Sequence, residues 1–149
     1  RFYRLDGNQW TPFGQTLSGT TQNEEFGTSI SLNEDGTILA VASPWANGGD
    51  GKVSVYEYEN DTWSLRGNII ENAAGGSGGA LSLSHDGNVV AMTNGNGAKV
   101  YSFDGSDWQI ETSRSGNELM RSICISADGT RVVYAGQDWM HHFDKVDGS

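Results

Sequence analysis

Apolar and polar residues alternate with a period of two in three separate stretches of this chain, and each stretch runs into an Asp-Gly pair. Ile30 and Leu32 share a face, as do Leu81 and Leu83, and Ile123 and Ile125. Beyond each Asp-Gly pair comes a nearly continuous apolar run, Ile38–Ala42, Val89–Met92 and Val132–Ala135. Such a run predicts a strand covered on both faces. Asp-Gly between two strands supplies the positive φ angles of a tight hairpin. The segments Ser29–Ser43, Ala80–Asn94 and Ser122–Gly136 align around this pair without a gap, so the chain is an internal repeat before it is anything else.

Two more strands complete the unit. An aromatic strand follows in Lys52–Glu59 and Ala98–Phe103, and Arg1–Leu5 has the same character. Each leads to a polar turn (Asp6–Gln9, Glu59–Thr62, Asp104–Asp107), after which Trp10, Trp63 or Trp108 opens a fourth strand. Four short antiparallel strands in a repeat of about 45 residues predict an all-β chain of β-propeller blades. The organisation expected is one repeat region over 1–149. Residues 1–9 end a preceding blade, repeats cover 10–59, 60–104 and 105–144, and 145–149 begin a further turn. Three four-stranded units with a flanking strand fall short of the four to eight blades that close a ring. The chain is therefore expected to belong to a larger propeller. The three tryptophans, with Tyr3, Tyr56 and Tyr101, recur at fixed phase and are expected at equivalent core positions.

Composition works mainly by exclusion. A net charge of −10 argues against nucleic acid and anionic membranes as partners, since both need clustered Lys and Arg. The longest apolar run, about five residues, is far too short to span a bilayer, so no direct membrane insertion is expected. The one cysteine, Cys124, excludes an internal disulfide. It alternates with Ile123 and Ile125 and is expected as a buried packing thiol.

Phe26-Gly27, Ala42-Ser43-Pro44 and the strand Gly51–Tyr58 together resemble the FG-GAP repeat of integrin-alpha-like propellers, with Ala-Ser-Pro where that family has Gly-Ala-Pro. The later units keep the strands and lose the Phe-Gly and the proline, so the match covers one unit of three. The array as a whole is similar to degenerate repeats in large surface or secreted proteins of microalgae, and its Asp-Gly element also resembles WD-like repeats. The resemblance implies an extracellular, cell-surface or lumenal location. Family members often bind calcium in loops of alternating Asp and Asn. The turns here offer one or two carboxylates each, against the six to eight oxygens calcium takes. Asp35, Asp86 and Asp128 are thus expected as turn formers, with no metal and no cofactor.

The remaining candidates are few. His141 and His142 are neighbours on a strand, so they point to opposite faces and cannot chelate one ion; His85 lies in a hairpin turn. Gly75–Gly79 lacks the Lys-Ser/Thr of a phosphate loop and is expected as a plain connection. Trp45 and Trp139 break the repeat phase and are the candidate partner contacts, and Asn60 heads an Asn-Asp-Thr glycosylation triplet. No set of nucleophile, base and acid stands out, so no enzyme is expected. The reading is a non-catalytic protein-interaction or structural scaffold module in a multi-subunit or cell-surface assembly, its partners protein subunits or further blades of the same polypeptide. The alternatives are a carbohydrate-binding propeller, with Trp45 meeting glycan, or part of a propeller enzyme whose catalytic blades lie elsewhere.

Overall fold

The structure, a computed structural model, describes residues 1–75, 79–95, 97–116 and 119–144. The expectations for 145–149 and for the centre of the Gly75–Gly79 segment lie outside the described residues. Strands β1 (Phe2–Asp6) and β2 (Gln9–Phe13) form a two-stranded antiparallel hairpin. A first full sheet follows in the order β3 (Ile30–Leu32), β4 (Ile38–Ser43), β5 (Lys52–Glu59), β6 (Thr62–Leu65), with the short β7 (Ile70–Glu71) also on β5. The second sheet is β8 (Leu81–Leu83), β9 (Val89–Thr93), β10 (Gly97–Phe103), β11 (Trp108–Ser115). The third joins β12 (Ser122–Ile125), β13 (Arg131–Ala135) and β14 (Met140–Asp144). These are all-β propeller blades, each a meander whose first strand, β3, β8 or β12, lies beside that of the next blade.

The repeat keeps one register at its polar turns, although the pairing of β10 with β11 shifts farther along, between Val100 and Tyr101. Leu5 faces Trp10, Tyr58 faces Trp63 and Phe103 faces Trp108. Each tryptophan strand is the last of its own sheet. A repeat counted from tryptophan to tryptophan therefore takes its first strand from one sheet and the rest from the next. By the same correspondence β1 and β2 are the two outer strands of a blade standing in front of the first full sheet.

Both faces of every full sheet are apolar, so a blade is buried only by its neighbours. Ile38, Ala40, Ala42, Val53 and Val55 meet Leu81, Leu83, Val90 and Met92 across the first seam. Ala91, Ala98 and Val100 meet Ile123, Ile125 and Val132 across the second. The other face of the first sheet, carrying Leu39, Val41 and Trp63, meets among the described residues the hairpin and the segment after it, through Phe2, Phe13, Leu17 and Phe26. Positions that are equivalent in sequence then differ sharply in exposure: Leu81 and Leu83 are each 8% exposed and Ile123 and Ile125 each 7%, but Ile30 is 62% and Leu32 51% exposed.

The same cause corrects two expectations. Trp63 stacks on Phe2 at 4.7 Å and Trp108 donates its Nε1–H to the Arg66 carbonyl at 2.8 Å, each indole packing back onto the preceding blade. Trp10 keeps their register but is 69% exposed, because among the described residues no blade packs against its side of the hairpin. Cys124 is exposed rather than buried. It occupies the place of Ser31 and Ser82, whose side chains point into the seam with the following blade, and no blade follows the third among the described residues.

The hairpin glycines report the seams directly. A Cβ on Gly87 would lie 2.8 Å from Ile38 Cβ, and one on Gly129 2.9 Å from Val89 Cγ2, whereas Gly36 has nothing within 4 Å. All three have positive φ, so alanine costs about 1–2 kcal/mol at each from backbone strain. Gly87→Ala and Gly129→Ala are expected to lose a further ~1–3 kcal/mol from overpacking, measured by urea unfolding. Equal losses in all three variants would show that the seams are not close-packed.

Candidate interaction face and groove

The open face of the first sheet and the hairpin enclose an apolar groove of about 400 Å³. Phe2 and Tyr3 of β1 form one wall, Ile30 and Leu32 of β3 another, and Leu39 and Val41 of β4 the floor. The hairpin is held there by an aromatic cluster in which Phe13 meets Tyr58 edge-on at 5.0 Å. Gln15 fastens the next stretch by a paired bond, its Nε2 donating to the Trp63 carbonyl at 2.6 Å and its Oε1 accepting from Trp63 N–H at 2.8 Å. One blade on, Asn68 is fastened by two donated bonds to the Asp107 carboxylate, its backbone N–H to Oδ1 at 2.9 Å and its side-chain Nδ2 to Oδ2 at 2.6 Å.

A buried ion pair sets the far wall, which carries Leu17 and Phe26. The Glu24 carboxylate accepts from Lys52 Nζ at 2.9 Å, from Thr20 N–H at 2.7 Å and from the Thr21 hydroxyl at 2.7 Å. Burial pushes this acid's pKa up, but Lys52, Thr21 and Thr20 together outweigh it and hold the group at about 2 rather than 4.5. The Glu24 carbonyl also accepts from Trp45 N–H at 3.3 Å, so the loop ahead of β5 hangs on the same residue. This pair was not visible in the sequence, where Glu24 and Lys52 belong to no shared motif.

The sequence candidates are scattered over the molecule. Trp45 is half-exposed against a short 3-10 turn, Ala46–Gly49, and Trp139 is partly buried edge-on to His141 at 4.2 Å. Both sit in connections between the second and third strands of their blades, hence at the same end of the arc but two blades apart. Asn60 lies at the opposite end, exposed, in a turn where Asn60 and Asp61 both have positive φ. The Asp-Gly turns share that end. Their carboxylates are taken up locally: Asp35 and Asp128 accept from the hydroxyl and N–H of Thr37 and Thr130, and Asp86 from Ser84 and Asn88. Bonds from Ser126 and Thr130 bring Asp128 down to about 2. Among the described residues no three His, Cys, Asp or Glu side chains gather as a metal site. His85 pairs with Glu34 across the first seam, while His141 faces Tyr134 in the register and His142 faces Val133.

No family model matches the chain, and no curated protein matches it in sequence. Solved structures do. A candidate 6-phosphogluconolactonase of Bacteroides uniformis aligns with a TM-score of 0.70 at 12% identity, covering 97% of this chain and 43% of its own. A second, from Bacteroides fragilis, gives 0.62 at 16%, covering 82% and 35%. The complex of KlAtg21 with the coiled coil of AgAtg16 gives 0.61 at 18%, covering 78% and 39%. The chain thus spans less than half the length of each, and at these identities the likeness shows the fold. It also corrects one expectation. The chain was expected not to be an enzyme because it holds no visible nucleophile set, yet two of these three structures are candidate lactonases, so that exclusion does not stand.

The Glu24 pair yields a pH prediction. A carboxylate held at about 2 in the fold against a usual 4.5 contributes stability that is complete above pH 4.5 and is lost as pH falls through 2. The wild-type melting temperature is therefore expected to drop more steeply between pH 4.5 and 2 than that of Glu24→Gln, which melts lower at pH 6. Parallel pH profiles would show that the pair does not contribute to folding.

Proposed function

We propose that this chain is a protein-interaction or structural module, a set of blades that works within a larger propeller assembly by offering apolar blade faces to other protein. The observation that carries the reading is the exposure of Ile30 and Leu32 beside the groove, at positions that the two internal seams bury. Faces of this kind are interaction sites in a folded protein, since open sheet edges and apolar patches otherwise drive aggregation. Half-exposed Trp45 is a second anchor at the end of the first blade, with Trp139 at the same end of the third. The similar structure of KlAtg21 is a complex with a coiled coil, which suits a blade array that binds protein.

The likeness to FG-GAP repeats gains support from one detail. Gly27 N–H donates to the Ala42 carbonyl at 3.0 Å, so the Phe-Gly and the Ala-Ser-Pro elements touch. An extracellular or lumenal site goes with that likeness, and Asn60, exposed in its turn, is then a glycan acceptor.

A second reading is favoured by the two candidate lactonases: the blades belong to a propeller enzyme. Hydrolysis of 6-phosphogluconolactone by the full-length protein would establish it. For the first reading, light scattering and sedimentation on the 149-residue chain are expected to give concentration-dependent association. Leu32→Asp is expected to reduce it. A monodisperse monomer that melts cooperatively, with its apolar face uncovered, would overturn the reading.

A further inference from the structure

We infer that the groove in front of the first sheet is a docking site for one β-hairpin, the inner two strands of a further blade built to this chain's own repeat. The inference rests on the interaction reading above and names its partner segment. The argument comes from the two seams already filled in the molecule. At the first, Leu81 N–H donates to Ser29 Oγ at 3.1 Å and Leu83 N–H to Ser31 Oγ at 3.0 Å. At the second, Ile125 N–H donates to Ser82 Oγ at 3.1 Å. These amides lie on the free edge of an inner strand, and the hydroxyl comes from the inner strand of the blade before. The turns add a bond of opposite sense: Glu34 N–H donates to the His85 carbonyl at 3.2 Å, and His85 N–H to the Ala127 carbonyl at 2.9 Å.

The front of the first sheet repeats every element of the receiving side. Asn33 bonds to Ile38 and Ala42 to Ser29, which places the amides of Ile30 and Leu32 on the outer edge of β3. Their side chains stand open where Leu81 and Leu83 are covered by the preceding sheet. Gly36 faces empty space where Gly87 touches Ile38. Beside them β1 pairs, among the described residues, only with β2, although β5 and β10, its counterparts, each pair on the other edge with a second strand.

One occupant answers all four vacancies. Its first strand carries a hydroxyl residue at the place of Ser31, accepting from Leu32 N–H. Its Asp-Gly turn directs an N–H at the Glu34 carbonyl. Its second strand adds to the open edge of β1 and lays small apolar residues, as Ala40 and Ala42 do at the first seam, over Ile30, Leu32 and Val41. This is strand addition with pockets for alternate side chains. The filled seams identify the segment: it is the pattern of Ser29–Ser43 itself.

The probe is a synthetic peptide of the sequence Ser29–Ser43, which holds one tryptophan-free hairpin, added to the 149-residue chain. Binding is expected to raise the melting temperature by roughly 5 °C at saturation and to slow hydrogen exchange at Ile30 and Leu32. Alanine at the position of Ser31 in the peptide is expected to weaken binding about three- to ten-fold, the worth of one hydrogen bond. Leu32→Asp in the chain is expected to abolish it. The same fifteen-residue segment fused ahead of Arg1 through a short glycine-serine turn removes the cost of bringing the two together, and should protect the same two amides. If neither peptide nor fusion protects Ile30 and Leu32, or if binding survives Leu32→Asp, the inference falls. Should the chain still associate in light scattering, through its other faces or as paired copies, the interaction reading stands without it. A chain that stays monomeric and binds no hairpin removes both.

Discussion

The hydrogen bonds from Leu83 N–H to Ser31 and from Ile125 N–H to Ser82 join inner strands that have no other edge to pair with, and the sheets depend on what they hold in place. An inner strand of three or four residues, such as β8 or β12, pairs on one side only within its sheet. Left to itself its outer edge would be wet and its apolar side chains exposed. Serine is short enough to reach the neighbouring amide without separating the sheets, so Leu81, Leu83, Ile123 and Ile125 sink into the face of the preceding blade. Burying four such side chains is worth about 1.5–3 kcal/mol each before entropy is counted. The strand bonds set position, and the apolar contact supplies most of the energy.

Farther out, the seams are fixed by different chemistry. Arg66 leaves the end of β6 and crosses to the second blade, where Nη1 donates to the Gly87 carbonyl at 2.8 Å and Nη2 to Asn88 Oδ1 at 2.6 Å. Its guanidinium lies 4.1 Å from the centre of the Phe103 ring. The equivalent residue in the hairpin is Phe13, which meets Tyr58 edge-on and Trp63 at a tilt. One position thus does the same mechanical work as a cation in one seam and as a ring in the other. Inner hydroxyl bonds recur and outer contacts vary, which lets the repeats diverge in sequence while the blades keep a common spacing.

Local pattern made the strands legible. The period-two alternation and the Asp-Gly pairs locate β3, β8 and β12 and the turns after them, and the register of Trp63 and Trp108 follows from their polar turns. What pattern could not convey is whether a neighbour is present. Ile30 and Leu81 look alike in sequence, as do Trp10 and Trp63, and only the filled or open seam separates them. Cys124 departs from its expected burial for the same reason. Ser31 and Ser82 looked like the polar half of an alternation, and their spacing gave no sign that each would accept an amide from another sheet. Glu24 and Lys52 meet because the loop before β3 folds back over the start of β5, a contact between distant segments that periodicity does not encode. The enzyme question was not legible either, because a fold serves many chemistries and the site decides among them.

The seams also have a direction, and that constrains how such blades combine. In the inner strands the later blade donates and the earlier accepts; in the turns the earlier donates and the later accepts. A blade reversed at a seam would set donor against donor. The contact is therefore head-to-tail, a heterologous interface that ends only in a closed ring or a covered face. The two open ends of this arc are not equivalent. The front offers the amides of Ile30 and Leu32 and needs acceptors, whereas the back offers Cys124 where a serine stands in both earlier blades. A thiol is a weak acceptor next to a hydroxyl. The back seam still has one hydroxyl acceptor in its inner strand, Ser122 in the place of Ser29, beside the Ala127 N–H of its turn, so a partner there meets acceptors along the inner strand where the front presents donors.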